Sequence, residues 1–169
     1  MPAGELFIKY NSEWSGISGS SRYAYNSSTG AYTQNNNGAW VDMFKEWGVS
    51  MDSTALSALM TPAPLKAMIE NSVATENGKR VIRAERPVDE RTVTLGINIS
   101  APTKAAFLSR YSAFCSQVLY AGKIDLSTTY QQGVIYHLDY LSCQSFGEYC
   151  QSMGKFVLRV VEPNPANRT

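Results

Sequence analysis

The residues best suited to catalysis or metal binding are the single histidine and the three cysteines. Cys143 and Cys150 are seven residues apart, and His137 lies six residues before the first of them. Zinc sites normally use tighter pairs, with about two to four residues between the cysteines, so this spacing argues against a metal. Cys115 falls on the apolar stripe of a predicted helix, where we interpret it as a small core residue. We therefore predict no metal site and no cofactor.

Catalysis by His137 would require a nucleophile close to it, and no sequence motif supplies one. His137 alternates with Tyr136 and Leu138 in a predicted strand, which favours a solvated or interface-facing side chain. The sequence also contains no phosphate-binding loop, no dinucleotide-binding glycine pattern and no His-Glu-x-x-His helix. We therefore predict that the protein is not an enzyme.

Length and composition indicate one domain, residues 1–169, with an ordinary hydrophobic core. Of the 169 residues, 44% are hydrophobic and only 17% are charged. A formal net charge of +1 gives the chain no overall field that would attract nucleic acid or membranes. No apolar run approaches the roughly 18 residues of a membrane span. No secretory leader is expected, and the odd number of cysteines argues against a disulfide framework, so we predict folding in a reducing cytoplasm.

The clearest predicted elements follow residue 90. Val93, Leu95, Ile97 and Ile99 alternate with polar residues or glycine, which is typical of a strand with one buried face. Residues 103–121 carry an amphipathic helical stripe. Three more strands are predicted over residues 123–128, 134–145 and 154–162. The predicted fold class is α+β and mainly β, as a β-barrel or sandwich with one flanking amphipathic helix. The apolar stripe of the helix predicted over residues 103–121 consists of Phe107, Leu108, Tyr111, Phe114, Cys115, Val118 and Leu119.

The N-terminal third is predicted to be an elaborated loop region with little regular structure. Residues 11–39 are dominated by Ser, Asn, Gly and Tyr, and their weak periodicity predicts a long loop or a flexible hairpin. Short helices are predicted near residues 53–60 and 65–71. Aromatic residues in such polar surroundings are typical of contact surfaces, which leaves open an alternative function as a small glycan- or partner-binding module. The predicted partner-contact residues are Tyr23, Tyr25, Tyr32 and Trp40.

Charged residues cluster on both sides of a turn at Pro87. Mixed signs in one hairpin suit pairing between identical subunits that are arranged head to tail. The same pattern is also typical of a solvated hairpin whose charges protect an exposed strand edge from aggregation. The predicted subunit-interface residues are Arg80, Arg83, Arg86, Asp89, Glu90 and Arg91.

The order of elements from about Val81 to Pro163 resembles the ring-forming domain shared by phage tail proteins. That family includes tail tube subunits and the distal tail proteins of long-tailed phages. Three features carry the resemblance, which covers about half of the chain. They are the strand pair joined at residues 86–91, the helix over residues 103–121, and the closing strand over residues 155–161 before Glu162-Pro163-Asn164-Pro165.

The resemblance implies a structural role in a phage or prophage tail, without catalysis or a cofactor. In that family the subunits join into a ring, typically six-fold, around a channel through which DNA passes without sequence recognition. The implied partners are further copies of the chain and other tail proteins, and no membrane. The implied location is the virion tail, after assembly in the cytoplasm of the bacterial host. Residues 11–39 lie outside the resemblance.

Overall fold

Most of the regular structure is β-strand, and most of the strands belong to one antiparallel sheet. The computed structural model describes residues 4–71, 77, 80–82, 85–147 and 150–169. The strands are β1 Leu6–Lys9, β2 Arg22–Asn26, β3 Ala31–Gln34, β4 Trp40–Asp42, β5 Val49–Met51, β6 Ile69–Asn71, β7 Arg80–Ile82, β8 Arg91–Ser100, β9 Lys123–Thr128, β10 Gln131–Gly147 and β11 Met153–Glu162. The helices are α1 Met43–Trp47, α2 Ala55–Met60 and α3 Lys104–Phe114, and a π-helical turn over Cys115–Leu119 continues α3.

The large sheet has nine strands in the order β3-β2-β4-β1-β9-β10-β11-β8-β5, while β6 and β7 form a separate ribbon. The prediction of a mainly β chain with a flanking helix is confirmed. Of the two predicted forms, a barrel or a sandwich, the barrel is wrong, because the described sheet ends on β3 and β5. At the β3 end, Tyr32 stacks on Phe7 of β1 with ring centroids 4.0 Å apart. The β3 end of the sheet therefore curls toward β1, and β3 does not pair with β5.

The core lies between the central strands and the helices. In β8 the predicted alternation is observed, with Val93, Leu95, Ile97 and Ile99 all buried. The strand pairs along its whole length with β11, from Arg91 opposite Glu162 to Ser100 opposite Met153. Because both strands place alternate side chains on the same face of the sheet, they form the apolar surface on which α3 packs.

α3 covers this floor with the buried part of the predicted stripe. Phe107 and Phe114 are each 1% exposed. The helix begins at Thr103, whose side chain accepts a hydrogen bond from the Ala106 amide at 3.2 Å. The single helix predicted over residues 103–121 ends instead in the π-helical turn. A π turn takes one more residue than an α turn, and here it leaves Val118 buried against the core.

The N-terminal third contains more strand than its weak periodicity suggests. Within residues 11–39, β2 and β3 form a hairpin in which Tyr25 pairs with Tyr32. The helix predicted near residues 53–60 is present as α2. Residues 40–51 form β4, α1 and β5, and Gly48 ends α1 in the left-handed conformation with φ of 66°. A Cβ at this glycine would come within 2.0 Å of the Ser100 carbonyl oxygen, so no other residue fits here without movement.

The second predicted short helix, over residues 65–71, is not formed. Leu65 makes an isolated antiparallel bridge with Val88, and Ile69–Asn71 is strand β6. Backbone pairing with the facing loop has therefore replaced the helical hydrogen bonds of this segment. Arg80, one of the predicted interface residues, begins β7 opposite Asn71. Arg83 lies outside the described residues.

Candidate assembly surfaces

Arg91, one of the predicted interface residues, is buried inside the chain and only 6% exposed. Its guanidinium forms an ion pair with Glu162 and donates hydrogen bonds to the carbonyl oxygens of Leu59, at 2.7 Å, and Thr61. Glu162 is fully buried and also accepts a hydrogen bond from Arg168, with Nε and Oε1 2.8 Å apart. This cluster joins the start of β8, the end of β11 and the end of α2 within one subunit.

The other described residues of the charged hairpin lie nearer the surface. The Arg86 guanidinium donates to the Lys66 carbonyl oxygen at 2.6 Å, in the segment that faces its own loop across the Leu65–Val88 bridge. Asp89 is half-buried, and its amide donates to the Pro64 carbonyl oxygen at 2.8 Å. Glu90 is exposed. Arg86, Asp89 and Glu90 are thus placed where a second molecule can reach them, whereas Arg91 is not.

Beside these charges lies an exposed apolar area. Leu65 and Val88, which face each other across the β-bridge, are 49% and 38% exposed, and Met68 is 47% exposed. The same loops carry three acidic residues, Glu85, Asp89 and Glu90, and two basic residues, Lys66 and Arg86. The acidic residues therefore exceed the basic residues by one. We define the loop surface as Leu65, Met68, Glu85, Val88, Asp89 and Glu90.

A second exposed apolar area lies on α3, where a groove of about 300 Å³ is lined by Phe107, Leu108, Tyr111 and Phe146. Leu108 is 50% exposed and Phe146 is 46% exposed. A Cβ at Gly154 would come within 2.8 Å of the Phe146 ring, so the glycine lets this ring lie close to β11. We define the helix surface as Lys104, Leu108, Tyr111 and Phe146.

One positive charge borders the groove, at Lys104, which lies one turn before Leu108. The Arg110 guanidinium instead donates to the Ser100 carbonyl oxygen at 2.8 Å, and Lys123 lies on β9, 4.0 Å from Asp125, so these two charges are directed away from the helix surface. Next to it, β10 continues past its pairing with β9, and all seven residues from Leu141 to Gly147 are exposed. Sequence reasoning placed Leu108 and Tyr111 on the buried stripe and so missed this surface. The available signal was that Leu108 directly follows Phe107, and adjacent helical residues point about 100° apart.

The predicted partner-contact residues form an aromatic cluster against β1. Trp40 is buried, and Tyr32 is stacked on Phe7. The rings of Tyr25 and Tyr32 have centroids 5.0 Å apart, and those of Tyr23 and Phe7 are 5.2 Å apart. Burial raises the pKa of Tyr32. Part of the ring surface that a sugar would stack on is therefore already in contact within the chain, and partner binding by these residues remains a prediction.

Among the residues first considered for chemistry, burial and the nearby Cys143 raise the pKa of Cys115, so these two thiols are neighbours, while His137 lies beside Asp125 of β9. His137 Nδ1 lies 2.7 Å from Asp125 Oδ1, and its Nε2 lies 3.3 Å from the Thr169 carbonyl oxygen. Cys115, Cys143 and Cys150 are free thiols. In the part of the chain that the structure describes, no group of three or more His, Cys, Asp or Glu residues could hold a metal ion. No helix in the described ranges is long and apolar enough to cross a membrane.

One surface ion pair provides a test of stability against pH. Lys155 Nζ lies 2.8 Å from Asp52 Oδ2, and this hydrogen bond lowers the pKa of Asp52 to about 2. An unfolded aspartate titrates near pH 3.9, so the pair stabilises the folded state above about pH 4. That contribution is lost as the pH falls toward about 2. Because Lys155 is 36% exposed, we expect less than about 1 kcal/mol.

Lys155→Met is therefore expected to lower the free energy of unfolding at pH 7 slightly, and the difference from wild type should disappear between about pH 4 and pH 2. Urea denaturation at a series of pH values measures this difference. Lys9→Met, on a different strand, serves as a control without this pH window. A loss that is equal at pH 7 and pH 2 would show that packing of the lysine stem, and not the ion pair, is responsible.

Comparison with known proteins includes a similarity of fold to a solved structure. No protein-family model matches the chain, and no curated protein matches it. The crystal structure of the SPP1 Dit (gp 19.1) protein, described as a paradigm of the hub adsorption apparatus in phages that infect Gram-positive bacteria, is similar to the chain with a TM-score of 0.49 and 11% sequence identity. The match covers 73% of this chain and 47% of that one, so the chain spans about half the length of the Dit protein.

Proposed function

We propose that the chain is a structural subunit of a phage or prophage tail, of the ring-forming class that includes distal tail and tail tube proteins. In this role it joins copies of itself and other tail proteins around a channel for DNA. The subunit is assembled in the host cytoplasm and is retained in the virion tail. The Dit protein that the fold resembles has a hub role in its own phage, which indicates the setting in which the proposal should be tested.

The observation that carries the proposal is the exposed apolar groove of the helix surface. Leu108 and Phe146 leave about half of their side-chain area in water although a well-filled core lies directly beneath them. A contiguous exposed apolar area of this kind, with a polar rim, is typical of a protein–protein contact. The low fraction of charged residues, 17%, also suits a surface that is largely covered in an assembly.

The net charge supports a channel role that involves no sequence recognition. At +1, the chain lacks the basic excess by which proteins bind the phosphate backbone tightly. DNA could then pass through a ring of such subunits without being held. The role needs rigid subunits that pack against one another, and a large sheet covered by helices supplies this rigidity.

The test is the state of assembly of the purified chain. Sedimentation velocity over a range of concentrations, together with negative-stain electron microscopy, should show closed oligomers many times larger than the 18.6 kDa monomer. A monomer at every concentration, with no rings on the grid, would contradict the proposal. Binding to a glycan array that is lost in Tyr25→Ala would favour the alternative, a small binding module, instead.

A further inference from the structure

A groove with mostly polar walls and one aromatic wall lies where the end of β1 meets the start of β9. Its volume is about 300 Å³, at the lower end of the range of small-molecule sites, so it suits a small ligand. The groove is separate from the loop surface and from the helix surface. The lining side chains that bear on its chemistry are Lys9, Asn11, Ser12, Trp14, Lys123 and Asp125.

The aromatic wall is the indole of Trp14, which the fold holds in one orientation. Its Nε1 donates a hydrogen bond to the Gln117 carbonyl oxygen at 2.8 Å. The rings of Tyr10 and Trp47 meet the indole edge to face, with centroids 6.1 Å and 5.5 Å away. Gln117 Nε2 also donates to the Ser15 carbonyl oxygen at 2.8 Å, which ties this loop to the π-helical turn. A ring that is fixed before binding loses little freedom when a ligand packs on it.

Asp125 brings an available hydrogen-bond acceptor to the groove. Its side chain is 15% exposed, and its Oδ1 lies 2.7 Å from His137 Nδ1. Its Oδ2 lies 4.0 Å from Lys123 Nζ, which is too far for a hydrogen bond, and has no other partner among the residues that the structure describes. His137 thus orients the carboxylate through one oxygen and leaves the other oxygen to accept from a ligand.

The mixture of charges around the groove favours a neutral ligand. Lys9 and Lys123 are exposed, so water and salt screen their attraction for an anion, whereas an anion in the groove would lie against the less exposed Asp125 carboxylate. A cation would meet two ammonium groups of its own sign. A hydroxyl group suits both kinds of side chain, because it donates to a carboxylate and accepts from an ammonium group.

We propose that this groove is a binding site for a neutral saccharide. The apolar C–H face of one sugar ring packs on the Trp14 indole, and its hydroxyl groups form hydrogen bonds with Asp125 and Lys123. Asn11 is placed to add a donor, since its Oδ1 accepts from the Glu13 amide at 3.0 Å and its NH₂ group remains available. This inference goes beyond the proposed function and does not depend on it.

The test is a titration of the full chain with maltose, cellobiose, lactose and chitobiose, followed by intrinsic fluorescence and by saturation-transfer NMR. Trp40 and Trp47 are buried, so Trp14 should account for the change in tryptophan fluorescence. At least one of these neutral disaccharides should bind with a dissociation constant of about 1 mM, as a small open site allows. No binding by any of the four sugars would overturn the proposal.

Three variants locate the bound sugar. Asp125→Ala and Trp14→Ala should each weaken binding at least about tenfold, which is about 1.4 kcal/mol. Trp14 packs against the core, so a melting curve must show that its variant is folded, and Asp125→Ala keeps the test decisive if it is not. Tyr25→Ala, in the aromatic cluster on β2 and β3, is the matched control and should bind like wild type.

Two outcomes would assign the sugar elsewhere and overturn the proposal. Binding that is lost in Tyr25→Ala and kept in Asp125→Ala would place the sugar on the aromatic cluster. Binding of oligogalacturonate but of no neutral sugar would show that the lysines select an anion. Sedimentation of Asp125→Ala should match that of wild type, because the groove lies apart from the helix surface. A wild type that assembles without binding sugar overturns only this inference, and one that binds sugar without assembling overturns only the proposed function.

Discussion

Replacing Arg91 with methionine is expected to lower the free energy of unfolding by about 3–5 kcal/mol. The guanidinium is buried between the fully buried Glu162 and the carbonyl oxygens of Leu59 and Thr61. Methionine has a similar length but no donors, so one buried carboxylate and two carbonyl groups lose a partner. Thermal or urea denaturation followed by circular dichroism measures the loss.

Arg86→Met is the matched control, since Arg86 belongs to the same hairpin but lies near the surface. Its effect on stability should stay below about 1 kcal/mol. The comparison of these two variants separates Arg91 from Arg86, which the sequence analysis placed in the same predicted interface. A melting temperature of Arg91→Met equal to that of Arg86→Met would mean that the buried pair contributes little net stability.

Truncating Phe114 to alanine is expected to cost about 3–5 kcal/mol, through the lost transfer free energy and the cavity that remains. Phe114 is 1% exposed and lies against Trp47 and Phe156, with ring centroids 6.2 Å and 6.3 Å away. A loss of this size is a large part of the stability of a single domain. Denaturation curves of the variant and of wild type give the value.

Two controls on the same helical segment separate stability from assembly. Ser116→Ala removes an exposed hydroxyl and should be nearly neutral in both respects. Leu108→Ala removes a side chain that is 50% exposed, so it should weaken assembly much more than it lowers the melting temperature. Should Phe114→Ala prove harmless, the orientation of α3 on the sheet would have to be different.

The regular elements with strong periodicity were predictable, and the surfaces were predictable only in part. The alternation in β8 and the aromatic spacing of α3 each need only local information, and the structure buries Ile97 and Phe107 as expected. The exposure of Leu108 depends on how far the sheet extends beneath the helix, which the sequence of the helix does not contain. The predicted closure into a barrel was wrong because closure depends on where the end strands lie, which the sequence of a single strand does not contain.

Burial of the charged residues was not predictable, because their partners are distant in sequence. Arg91 meets Glu162, which is 71 positions further along the chain, and only the β8–β11 register brings them together. A local pattern of mixed charges indicates exposure, so Arg91 and Arg86 looked equivalent. Within residues 11–39 the sequence does not distinguish a loop from a hairpin, because the tyrosines that pack inward stand among polar residues. The residue on which Tyr32 packs, Phe7, lies on β1, 25 positions earlier.

The sheet order also limits when the chain can fold during synthesis. β1 lies between β4 and β9, so its second neighbour leaves the ribosome more than 100 residues after it does. β5 likewise cannot pair until β8 has been synthesised, about 40 residues later. Pairings this distant are slow to form, since loop closure must precede the contacts that stabilise it. The nascent N-terminal third therefore remains incomplete until β9 emerges, and its exposed strand edges are the part of the growing chain that most needs protection by a chaperone.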